Sequence, residues 1–117
     1  MQFLVIAYDG TDEAALDRRM AVREAHIEAA RAMKADGSMI VGGAILDDEG
    51  RMIGSSCIVE MPDRAAVDAW LATDPYVTEG VWQKIAQIGG VVLGVWNLQG
   101  NLVARTGITP AQIERGY

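Results

Sequence analysis

The chain is 117 residues long, half of them hydrophobic and 22% charged, a balance that suits one folded domain and excludes intrinsic disorder. Lys plus Arg number 10 against 16 Asp plus Glu, a formal net charge of −6. That excess argues against nucleic acid, whose phosphates demand clustered cations, and against docking on anionic lipid.

The first residues, Met1 to Asp9, carry no basic segment ahead of a signal core. No apolar stretch approaches the roughly 18 residues of a membrane span. The expectation is a cytoplasmic protein without membrane association. The single cysteine, Cys57, allows no internal disulfide, as suits a reducing compartment. Set among Ser56, Ile58 and Val59, it reads as a small buried residue with no base or cation to activate it.

Phe3 to Tyr8 is an apolar run rich in β-formers, closed by Asp9-Gly10, and predicts a strand. Thr11 or Asp12 is expected to cap a long helix from Glu13 to about Ala35, ended by Asp36-Gly37. Met39 to Leu46 predicts a second strand, interrupted by Gly42-Gly43. Asp47 to Gly50 supplies a hairpin turn, and Arg51 to Met61 returns as a third strand. Pro62-Asp63 caps a second helix, Arg64 to Thr73, which Asp74-Pro75 stops because the residue before proline avoids the α region. After a short irregular stretch, Val81 to Trp96 predicts a fourth strand, with Gly89-Gly90 as a break or a bulge.

The order β-α-β-β-α-β predicts an α+β, ferredoxin-like fold, an antiparallel sheet with both helices on one face. Residues 1–97 form that domain, and 98–117 are an extension in which Thr109-Pro110 starts a short helix to about Arg115. The strands are apolar throughout rather than alternating. Val5, Ile40, Ile58, Val59, Val91, Val92, Leu93 and Val95 cannot all face the helices. A sheet with two apolar faces buries both most simply against a second sheet, so a homodimer or higher homo-oligomer is expected.

The first helix carries the informative pattern. At about 100° per residue from Arg19, Arg23 falls near +40° and His26 near −20°. Leu16, Met20 and Ile27 flank them on one side, and Val22, Ala29 and Met33 on the other. Asp17, Glu24 and Glu28 take the opposite face. Cations on an inward stripe are costly without anions, water or a cavity to meet them. Asp9 and Asp74 are the candidate anions. Two arrangements satisfy the constraint: an internal salt-bridge cluster, or a polar pocket lined by the three side chains.

His26 is the only histidine, so sites needing two His ligands, or zinc on several thiolates, are excluded; a metal on His26 with Asp9 or Asp74 stays open but has no support in the spacing, and neither metal nor cofactor is expected. An imidazole beside a carboxylate suits general acid/base work, because it titrates near neutrality and the carboxylate fixes its tautomer. Asp74-Pro75-Tyr76 is either a helix-terminating turn or a pocket element, with Asp74 aimed inward and Tyr76 as a wall. Gly54-Ser55-Ser56 brings small side chains near a ligand, though no base marks either serine as a nucleophile. Trp70, Trp82 and Trp96 read as core or interface residues.

The segment Arg19-Met-Ala-Val22-Arg23-Glu-Ala-His26-Ile27 resembles the R-x-x-V-R-x-x-H-L helix of the YciI-like, or YCII-related, family. Gly42, Gly54-Ser55, Asp74-Pro75-Tyr76 and Gly80-Val81-Trp82 follow in that family's order, so the likeness runs over about residues 1–96. The resemblance implies a dimeric α+β barrel with a His–Asp pair in a cleft, here His26 with Asp74 or Asp9. It implies a small-molecule enzyme of lyase or isomerase type, because a relative is a dehalogenating muconolactone enzyme and muconolactone isomerases share the barrel. Arg19 and Arg23 then suit a small anionic carboxylate, with Asp9, Ser55 and Tyr76 completing the binding site. The alternatives are a non-catalytic dimer that binds a small anion or assists another enzyme, and a scaffold whose charged cluster is structural. Gly43 stands where the family usually has Pro, and the family's Lys-Pro-Phe-type ending is replaced by Val95-Trp96-Asn97 and the tail.

Overall fold

The computed structural model describes residues 1–89, together with the backbone of 93–96 and 102–106. The elements run β1 (Gln2–Asp9), α1 (Ala15–Asp36), β2 (Met39–Leu46), β3 (Met52–Glu60), α2 (Arg64–Leu71), α3 (Pro75–Thr78), β4 (Trp82–Gly89), β5 (Leu93–Trp96) and β6 (Leu102–Thr106). The first four strands to appear form one sheet in the order β2-β3-β1-β4, with every pair antiparallel. This is the ferredoxin-like α+β arrangement expected from the element order.

Local chemistry explains most boundaries. The Asp63 side chain accepts from the Ala66 backbone N–H at 2.9 Å and starts α2. Gly37 ends α1 with φ 86°, which costs an L side chain and suits glycine. At the hairpin, Asp47 Oδ1 accepts from the N–H groups of Glu49 and Arg51, both at 2.9 Å.

Three expectations are corrected. Neither Thr11 nor Asp12 caps α1 with its side chain: Ala14 holds the cap position without a side-chain bond, and Asp12 instead pairs with Arg18 at 2.7 Å. The stretch after α2 is not irregular, because Asp74-Pro75 both stops one helix and starts the short α3. The expected strand from Val81 to Trp96 is not one strand in the main sheet: β4 is described over Trp82–Gly89, and β5 pairs with β6 in a separate two-stranded sheet. No strand was expected over Leu102–Thr106. The helix expected from Thr109 to Arg115 lies outside the described residues, as do Val91 and Val92 and the side chains of Leu93, Val95 and Trp96.

Strand register sorts the apolar residues onto two faces. Phe3, Val5 and Ala7 of β1 and Val59 of β3 point to the helices and form the core with Val67, Leu71, Tyr76 and Val81. Leu4, Ile6 and Ile58 are half-buried on the other face, in register with Val41 and Ile88, both 48% exposed. The sheet therefore has a second apolar face that the described residues leave uncovered.

Candidate functional site

The polar residues of the core lie along one seam between α1 and the sheet. Arg19 is the one residue of α1 in the buried class, at 3% exposure. Its Nη1 donates to both oxygens of Asp9, at 3.0 and 3.1 Å, and its Nη2 donates to Ser55 Oγ at 2.8 Å. The guanidinium also lies 4.7 Å from the centre of the Tyr76 ring. Ser55 Oγ accepts a second bond from Trp82 Nε1 at 3.2 Å. Arg19 Nε is buried with no hydrogen-bond partner among the described residues.

Two turns of α1 further on, His26 Nδ1 lies 2.9 Å from Asp74 Oδ1. The same oxygen accepts the Tyr76 backbone N–H at 2.9 Å, as the N-cap of α3. Asp74 as a carboxylate is an acceptor only, so it accepts the hydrogen bond of a protonated Nδ1 and leaves the lone pair on Nε2. His26 is clamped by aromatics: Tyr76 stacks on it at 3.8 Å with an 11° interplanar angle, and Trp82 meets it edge-on at 5.4 Å. Burial raises the Tyr76 hydroxyl above its ordinary value, against the opposing pull of Arg19 and Arg23.

These side chains form part of the wall of a cavity of about 450 Å³ between α1 and the β2–β3 edge. That volume suits a small organic molecule. Arg19, Arg23, His26, Arg31 and Lys34 line it, and among the described residues no Asp or Glu does. Arg19 is neutralised by Asp9 and Arg31 is paired with Glu28 at 3.5 Å, so the positive charge that favours an anion rests on Arg23 and Lys34.

The residues singled out in the sequence converge here, with two adjustments. Asp9, expected against the substrate, is not on the cavity wall, because both of its oxygens are taken by Arg19. Asp74 likewise stands behind the wall, reaching the cavity only through His26. The question of which carboxylate partners His26 is settled in favour of Asp74. The inward stripe of α1 also turns toward its Val22 side. Leu16 and Met20, expected to flank the cations in the core, are exposed, while Val22 and Met33 pack on the core. Arg23 consequently lies at the exposed rim of the cavity, without a hydrogen bond or ion pair among the described residues.

Arg31 and Lys34, which also line the cavity, were not anticipated. Lys34 falls near +60° on the same helical angle scale, so extending the stripe by two turns would have found it. Trp82, read as core or interface, also lines the cavity and donates to Ser55. Cys57 lines the cavity as a buried thiol, pushed up to about 12 chiefly by burial and secondarily by Asp74. It is protonated at neutral pH and has no nucleophilic character there. Among the described residues no group of His, Cys, Asp and Glu could hold a metal ion, and no helix is long and apolar enough to cross a membrane.

The sheet order and the paired polar seam define a ferredoxin-like α+β protein with a His–Asp couple on a cationic cavity. The YCII-related domain matches residues 1–88, and the chain belongs to that family. It is 29% identical over 92 residues to Protein YciI of Escherichia coli O6:H1, covering 74% of this chain and 92% of the relative. It is 30% identical over 91 residues to an uncharacterized protein of Haemophilus influenzae, covering 73% and 91%. Among solved structures, it is similar to the 5-chloro-2-hydroxyhydroquinone dehydrochlorinase TftG of Burkholderia phenoliruptrix in complex with 2,5-dihydroxybenzoquinone. That match has a TM-score of 0.68 at 23% identity and covers 86% of this chain and all of the other, a likeness of fold.

Proposed function

We propose that the protein is a small-molecule enzyme of lyase or isomerase type that moves a proton on an anionic ring compound. The observation that carries this reading is His26, held by Asp74 at 2.9 Å, on the wall of a cavity that no described Asp or Glu lines. Asp74 orients the ring, and Nε2 of His26 takes a proton from the substrate and returns it elsewhere in the same turnover. Arg23, unpaired at the rim, attracts and holds the carboxylate or phenolate, with the Arg19 guanidinium as a second positive centre within the wall. Tyr76 fixes the imidazole plane by stacking. The phenolic, chlorinated compound in the name of the fold neighbour TftG offers a first chemical class to try.

The uncovered sheet face completes the proposal: two copies pair sheet to sheet and bury Leu4, Ile6, Val41, Ile58 and Ile88. The test is incubation with a panel of small carboxylates and hydroxylated quinones, including 5-chloro-2-hydroxyhydroquinone, with products read by mass spectrometry. Turnover by the wild-type protein should vanish in His26→Ala while the fold and the dimer persist. Asp74→Asn should reduce kcat by about 10²-fold or more. Because Asn is also a good N-cap, this variant should lose little stability. Full turnover by His26→Ala would overturn the assignment. Thermal stabilisation by a ligand that emerges chemically unchanged would point instead to a binding protein.

A further inference from the structure

Ser55 sits at the meeting point of two groups that only donate. A hydroxyl has two acceptor lone pairs and one proton. Arg19 Nη2, at 2.8 Å, and Trp82 Nε1, at 3.2 Å, occupy both lone pairs of Ser55 Oγ. Neither a guanidinium nor an indole nitrogen can accept a hydrogen bond in return. The Ser55 proton therefore has no place in either interaction, and among the described residues it meets no protein acceptor. Ser55 is 8% exposed and lines the cavity, so the cavity is what remains to receive it.

The arrangement is held from behind. Asp9 fixes Nη1 of Arg19 through both of its oxygens, which orients Nη2 on the serine. Trp82 ties the serine to the proton-transfer group, because the same indole that donates to Ser55 packs edge-on against His26. A charged donor on one lone pair also polarises the O–H bond and strengthens it as a donor. The same accounting removes Ser55 as a nucleophile, since no base is in place to take its proton.

We propose that Ser55 is a fixed hydrogen-bond donor that selects substrates carrying a carbonyl or phenolate oxygen at the reacting centre, with Arg19, Asp9 and Trp82 as its positioning residues. This rests on the reading of the cavity as an active site and names its substrate class more narrowly: compounds with an acidic C–H next to a carbonyl. His26 Nε2 takes that proton, and the C–H electron pair moves onto the carbonyl oxygen as an enolate. Ser55 donates a hydrogen bond, not its proton, to that oxygen. The enolate then either regains the proton from His26 at another carbon or expels a leaving group with its bonding pair. No oxidant, reductant or co-reactant is needed.

The test uses 2,5-dihydroxybenzoquinone as the probe, with affinity measured by calorimetry and its carbonyl stretch by infrared difference spectroscopy. Ser55→Ala should weaken binding about tenfold, and raise the carbonyl frequency of the bound probe by removing the donor. Ser55→Thr keeps the hydroxyl and should keep the wild-type frequency. Trp82→Phe frees one lone pair of Ser55 and lets the hydroxyl turn, so it should shift the frequency part of the way. That variant carries the test if Ser55→Ala does not fold. An unchanged affinity and frequency in Ser55→Ala, or in Trp82→Phe where the alanine variant is unfolded, overturns the donor role. So does failure of the wild-type protein to bind the probe at millimolar concentration. Unaffected Ser55→Ala beside inactive His26→Ala would sink the serine inference alone. Active His26→Ala would instead sink the reading beneath it.

Discussion

Replacing Asp9 with Asn isolates the energetic role of the buried pair. The side chains of Arg19 and Asp9 are 4% and 3% exposed, so water cannot take over when the carboxylate loses its charge. Two charge-assisted contacts, at 3.0 and 3.1 Å, are lost or weakened, each worth about 1.5–3 kcal/mol. The guanidinium then stays buried with Ser55 as its remaining hydrogen-bond partner and with Nε already unpartnered. Stranding one member of a buried pair typically costs about 3–5 kcal/mol, a large share of the roughly 5–15 kcal/mol that holds a domain together. Urea denaturation should therefore show a loss of that size, and the melting temperature should fall by roughly 15 °C or more. Arg19→Met alone should cost a similar amount. The double variant Asp9→Asn with Arg19→Met should be more stable than either single variant, because neither charge is left alone. If Asp9→Asn cost under about 1 kcal/mol, the claim that this ion pair is desolvated and structurally required would be refuted.

Three further outcomes follow from the same geometry. A Cβ added at Gly54 would be driven into the Ala7 carbonyl oxygen of the neighbouring strand, so Gly54→Ala should destabilise by about 3 kcal/mol or more in urea titration. The raised thiol of Cys57 stays protonated in the native state, whereas the unfolded thiol ionises from about pH 9. Its stabilising contribution is thus fully present below pH 9 and is lost as pH climbs toward 12, by up to about 1.4 kcal/mol per unit. Cys57→Ala should flatten the alkaline arm of the stability profile, and iodoacetamide should leave the native wild-type thiol unlabelled at pH 8. Ile88→Lys, on the uncovered sheet face, should convert a dimer to a monomer in light scattering while leaving the far-UV dichroism unchanged; a dimer that survives it would place the interface elsewhere.

The sheet was legible because each strand carries its own start and stop: apolar runs bounded by Asp9-Gly10, by Asp47 to Gly50 and by Pro62-Asp63. The angular position of Arg19 and His26 was equally legible, since a 3.6-residue period is a property of the backbone and not of its neighbours. The exact rotation of α1 was not. Leu16 and Met20 are good core residues by type, yet they are exposed, while Arg19 is buried on Asp9 and Val22 packs on the core. That pairing across the fold is invisible to local pattern. The short α3 was missed for a different reason. Asp74-Pro75 is at once a helix stop, through the residue before proline, and a helix start, through an N-cap Asp with Pro at the first position.

That double use of Asp74 connects fold to chemistry. One oxygen of its carboxylate satisfies the Tyr76 backbone N–H and the His26 imidazole together, so the start of α3 and the tautomer of His26 are set by the same atom. Because Tyr76 follows Asp74 within that turn, the ring stacked on His26 is positioned by the backbone that caps the carboxylate. Asp9 works in parallel on Arg19 and, through it, on Ser55. Both carboxylates of the seam are thereby consumed behind the wall, and what reaches the cavity is a basic nitrogen, a hydroxyl and a set of cations. A surface assembled in that way has positive charge and hydrogen-bond donors to offer, which is why the substrate proposed above is oxygen-rich and negative.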